Sequence, residues 1–89
     1  MADKVVLVTG CSEGGIGYHL AQTFAANGCK VYATARNVEK MSGLKVSNIE
    51  LLALDVKSDA SVKEVIDTII EKEGRIDIVV NNAGIAAHG

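Results

Sequence analysis

The feature that most constrains this chain is a glycine-dense bend between a short apolar run and a helical pattern. Val5-Val6-Leu7-Val8 is continuous, β-branched and closed by Thr9-Gly10. Such a run suits a strand covered on both faces of a parallel sheet. Glycines then crowd the stretch from Gly10 to Gly17, after which Ile16, Leu20 and Phe24 recur at helical spacing until Asn27-Gly28. Gly at that point tolerates the left-handed conformation that stops a helix. The same alternation continues. Residues 31–35 read as a second strand, 38–44 as a short helix weakened by Gly43, and 49–54 as a third strand ending at Asp55. A helix capped by Ser58 or Asp59 carries Val62, Val65, Ile66, Ile69 and Ile70 along one face and stops at Gly74. Residues 76–80 read as a fourth strand before Asn81-Asn82-Ala83-Gly84. Strands alternating with helices imply parallel pairing through right-handed crossovers. The expected fold is therefore α/β, the N-terminal half of a doubly wound parallel sheet of Rossmann type, with four strands in the order 3-2-1-4. The 89 residues are expected to form one truncated domain of this fold, with no linker and no second unit.

The bend has a physical purpose. A helix start offers unpaired N–H groups and a partial positive charge. A phosphate reaches them only where no Cβ blocks the approach. The general fingerprint G-x-G-x-x-G is absent, because Leu20 stands where its third glycine would be. What is present is Thr9-Gly10-Cys11-Ser12-Glu13-Gly14-Gly15-Ile16-Gly17. It resembles the T-G-x-x-x-G-x-G turn of the short-chain dehydrogenase/reductase family, with four residues instead of three between Gly10 and Gly15. The resemblance extends through residues 4–84 and implies that Gly10, Ser12, Gly15, Ile16 and Gly17 surround the cofactor pyrophosphate.

Three further sites support it. Taken alone, Asp55 reads better as a turn or helix-capping carboxylate. Within the resemblance, Asp55 and Val56 are the pair that contacts adenine. Asn81-Asn82-Ala83-Gly84 resembles the family's second signature, which places Asn82, Ala83 and Gly84 along the cofactor ribose. Arg36 bears on the choice of cofactor. An unphosphorylated ribose calls for a carboxylate at the end of the second strand, and residues 34–37 are Thr, Ala, Arg and Asn. A guanidinium grips a 2′-phosphate with paired hydrogen bonds, so Arg36 argues for NADP over NAD, with Lys40 as an assistant. The variant turn together with Tyr32-Ala33-Thr34-Ala35-Arg36 resembles the fungal 1-acyldihydroxyacetone-phosphate reductase branch of the family.

The expected function is thus NADP(H) binding by the first part of a short-chain dehydrogenase/reductase. The complete form would move hydride between NADPH and a ketone or alcohol, such as an acyl-dihydroxyacetone phosphate. The alternative is a non-catalytic nucleotide-binding or regulatory module that self-associates through its open sheet edge. No catalytic residue is assigned. Family members use a Tyr with a Lys four residues on; here Tyr18 is followed by Gln22 and Tyr32 by Arg36. A P-loop would need Lys-[Ser/Thr] after its glycines, and none follows.

Composition narrows the remaining choices. A net charge of -2 leaves no basic footprint for nucleic acid. Cys11 and Cys29, with His19 and His88, lack metal-ligand spacing. Two cysteines make no disulfide framework, so a reducing, cytoplasmic compartment is expected. Cys29 reads as a small packing residue and His19 as an exposed one.

Overall fold

A computed structural model describes residues 4–10, 16–44, 48–55 and 57–80, the side chains of residues 40–42 excepted. Four strands, β1 (Val5–Val8), β2 (Lys30–Ala35), β3 (Ile49–Ala53) and β4 (Ile78–Val80), form one sheet in the order β3-β2-β1-β4. Every pairing is parallel. The register sets Leu7 of β1 opposite Tyr32 on one side and Val79 on the other. Fold class and strand order are those the sequence predicts.

Alternation along β1 divides the core in two. Val6 and Val8 face one side with Val31, Ala33, Ala35, Ile49 and helix α1 (Ile16–Ala26). Val5 and Leu7 face the other with Tyr32, Leu54, and Val65 and Ile69 of helix α2 (Asp59–Glu73). A strand covered on both faces has no polar side to spare, which is why the run reads as continuously apolar. Gly17 and Ala21 are the buried residues of α1. Their small side chains let the helix lie close against β1 and β2. The helix ends in a Schellman arrangement: Cys29 N–H donates to Phe24 O at 3.1 Å and Gly28 N–H to Ala25 O at 3.0 Å, with Gly28 at φ 87°. Cys29 itself is fully buried and His19 is exposed, as expected.

Residues 38–44 form the short helix that the sequence predicts, of 3-10 type. It is opened by Asn37, whose Oδ1 accepts the Glu39 N–H at 3.0 Å, and docked by the buried Leu44. The fourth strand begins at Ile78, not residue 76. Asp77 just before it substitutes for ladder pairing: its N–H donates to Val5 O at 2.9 Å and its Oδ2 accepts the Val5 N–H at 2.8 Å. Arg75 Nε donates to the same oxygen at 2.9 Å. These bonds hold the Asp77 carboxyl below its usual range, the Val5 amide first and Arg75 next. In α2, Val65 and Ile69 are buried, whereas Ile66 and Ile70 are 37% and 43% exposed, so the apolar stripe is wider than the sheet can cover.

Candidate functional site

Because all four strands run parallel, their C-terminal ends share one edge of the sheet. β2 and β3 extend the sheet to one side of β1, and β4 returns to the other. The chain therefore reverses its direction of growth between β1 and β4, and open α/β sheets bind ligands in the crevice beyond that point.

The residues at this edge come from three strand ends. Gly10 follows β1 at φ 69°, a conformation that side chains strongly disfavour. Thr9 ties β1 to β4: its N–H and Oγ1 both donate to Val80 O, at 3.0 and 3.3 Å. Thr34 Oγ1, fully buried, donates to Val8 O at 2.9 Å. Two threonines thus brace the end of β1 against both neighbours. The first described turn of α1 holds no acidic residue, so no carboxylate within that turn offsets the positive end of the helix dipole. Ile16 in that turn is 66% exposed, while Gly17 is buried against the sheet. Gly17 thereby serves close helix–strand packing.

Arg36, directly after β2, is exposed and has no ion pair among the described residues. Asp55, beyond β3, is exposed as well. Its Oδ1 accepts the Lys57 N–H, its N–H donates to Ser61 Oγ, and its carbonyl accepts the Ser58 N–H, each at 3.0 Å. Capping of α2 belongs to Ser58, whose Oγ accepts the Ser61 N–H at 3.2 Å. Gly10, Ile16, Gly17, Arg36 and Asp55 are therefore brought to one edge. Ser12, Gly15, Val56, Asn82, Ala83 and Gly84, with Cys11 and the Lys40 side chain, lie outside the described residues.

Tyr32 is not a proton donor at this edge. Tyr32 is fully buried, and its hydroxyl donates to Glu73 Oε2 at 2.5 Å on the α2 face. Burial first, and then Glu73, raise its phenol well above the ordinary 10.0. A tyrosine acid for carbonyl chemistry needs the opposite shift.

Sequence reasoning missed three residues that shape the edge: Thr34, Thr9 in its bracing role, and Ser61. Ser61 had a readable signal, since it stands three residues after the Ser58 cap. Thr34 had none, because a hydroxyl inside a buried run looks like any β-branched strand residue.

A sequence profile of the short chain dehydrogenase family matches residues 4–89. The chain belongs to the short-chain dehydrogenase/reductase family. Among curated relatives, a short-chain dehydrogenase/reductase of Pestalotiopsis microspora is 48% identical over 83 residues, covering 93% of this chain and 30% of the relative. The NADPH-dependent 1-acyldihydroxyacetone phosphate reductase of Schizosaccharomyces pombe is 46% identical, covering 93% and 28%. The NADPH-dependent pterin aldehyde reductase of Arabidopsis thaliana is 45% identical, covering 94% and 36%. Among solved structures, a Burkholderia xenovorans short-chain dehydrogenase/reductase superposes with a TM-score of 0.83 at 31% identity, over 91% of this chain and 36% of that one. Menthone neomenthol reductase of Mentha piperita superposes at 0.78 with 30% identity, over 90% and 31%. The chain thus spans about a third of these relatives. This is a family of oxidoreductases that bind a nicotinamide dinucleotide, and the strand-end edge fits that group: a glycine bend before a helix start, an exposed guanidinium and an exposed carboxylate.

Proposed function

We propose that this chain is the cofactor-binding first part of an NADP(H)-dependent short-chain dehydrogenase/reductase. The observation that carries the reading is Arg36, an exposed cation at the end of β2, where an NAD-binding site would carry a carboxylate. Gly10, Ser12, Gly15, Ile16 and Gly17 would hold the pyrophosphate with backbone N–H groups and the α1 dipole. Arg36 would pair with the 2′-phosphate, Asp55 and Val56 would receive the adenine, and Asn82, Ala83 and Gly84 would line the ribose. When bound, NADPH supplies the hydride. The residues of this chain bind and orient it, and the proton-donating residue comes from elsewhere in a protein of the relatives' length.

The NADPH-dependent reductases among the relatives support the cofactor reading. The Schizosaccharomyces relative supports a ketone such as an acyl-dihydroxyacetone phosphate as substrate. A cytoplasmic setting is part of the same proposal; no helix among the described residues is long and apolar enough to cross a membrane. Fluorescence titration of the full chain with NADPH and NADH tests the cofactor reading. NADPH is expected to bind more tightly, and Arg36→Ala to weaken NADPH about tenfold or more while sparing NADH, because charge-assisted pairs are worth roughly 1.5–3 kcal/mol. A preference for NADH overturns the reading.

A further inference from the structure

We infer that Ser61 is a positioning residue that aims Asp55 at the amino group of adenine, an inference that rests on the dinucleotide site proposed above. A carboxylate at the cap position of a helix ordinarily accepts from the first helical N–H groups, and Asp55 stands three residues before that position. The structure gives that work to Ser58 instead: its side chain accepts from Ser61 N–H, with Ser58 at φ -107° and ψ 112°. Asp55 is therefore held without being consumed. Its N–H donates to Ser61 Oγ, its carbonyl accepts from Ser58 N–H, and its Oδ1 accepts from Lys57 N–H, each at 3.0 Å. Among the described residues its Oδ2 has no partner, and the residue is exposed at the C-terminal edge of the sheet.

Of the three bonds, two lie within the turn itself. Among the described residues, the Ser61 bond is the one that ties Asp55 to a residue within α2 (Ser58 being its cap), and α2 is anchored on the sheet through Val65 and Ile69. Ser61 thus transmits the rigidity of the helix to the carboxylate. An ionised carboxylate only accepts hydrogen bonds, so a carboxylate held in place favours a base with an N–H donor facing it. Adenine carries an exocyclic amino group there, whereas hypoxanthine carries a carbonyl, which repels it. A carboxylate left to swing would discriminate less between the two.

The test titrates the full chain with NADPH and with its reduced hypoxanthine analogue, and follows amide hydrogen exchange of Asp55 without ligand. The wild type is expected to prefer the adenine form. Ser61→Ala is expected to lower that preference about fivefold, the worth of one neutral hydrogen bond, and to speed exchange at the Asp55 amide. Ser61→Thr, which keeps the hydroxyl, restores both. Ser58→Ala removes the cap and is expected to lower stability while leaving the preference intact. The inference is overturned if Ser61→Ala weakens both dinucleotides equally, or if Asp55 exchange does not change. A wild type that binds both forms equally overturns the adenine role of Asp55 itself, a separate failure seen before any variant is made.

Discussion

Tyr32 has no exposed surface, and its hydroxyl donates to Glu73, while Glu50 lies on the same sheet face one strand away. Burial, the Glu73 bond and the two carboxylates all favour the neutral phenol in the folded state. Its folded pKa is raised above the unfolded value of 10.0, so the native state holds a proton that the unfolded chain releases at high pH. The stabilisation is complete below pH 10 and is lost as pH climbs beyond it. Urea denaturation across the alkaline range is expected to show stability falling by up to about 1.4 kcal/mol per pH unit from this group. Tyr32→Phe should flatten that fall and lower neutral-pH stability by about 1 kcal/mol. An equally steep alkaline loss in the variant would assign it to other groups. The same residue explains why a sequence pairing of Tyr32 with Arg36 carries no chemistry. The phenol points into the α2 face, while Arg36 is exposed beyond the strand end.

At the scale of elements, α2 is stopped at both ends by side-chain and backbone chemistry that the sequence displays openly. Ser58 caps its start and Gly74 ends it at φ 82°, with the Gly74 N–H donating to Ile70 O at 2.7 Å. A Cβ added at Gly74 would meet nothing within 4 Å. The cost of Gly74→Ala is therefore purely conformational, about 1 kcal/mol, and Gly74→Asn should cost less. Thermal or urea unfolding of the two variants measures this; equal stability of Ala and wild type would mean that the left-handed cap carries no strain. The Lys63–Asp67 pair on the outer face, at 2.9 Å, is exposed on both sides and contributes little. The 3-10 helix shows the opposite case. Its residues carry a helical pattern too short to choose between helix types, and the Asn37 turn and the docking of Leu44 decided the outcome.

At the scale of the whole molecule, β4 has a strand neighbour on one side among the described residues, and Val79 on it is 59% exposed. Ile66 and Ile70 of α2 are also partly exposed. Unpaired strand edges and exposed apolar side chains favour association. The 89-residue chain alone is expected to sediment as concentration-dependent oligomers, and Val79→Lys to shift it toward monomer. A sharp wild-type monomer with cooperative melting would count against this. The alternation of buried runs with helical patterns is written locally, since each element reports its environment through hydrophobic period and caps. The amino-acid sequence by itself therefore determined the parallel α/β architecture, the strand order, the ends of α2, and the gathering of Gly10, Arg36 and Asp55 at one edge. Only the tertiary structure decided how those residues are held. Thr9 and Thr34 brace β1 through carbonyls 71 and 26 residues distant in the chain, and Asp77 pairs with Val5 across 72. Such bonds join groups with no common local pattern, so they become visible only once the strands have come together.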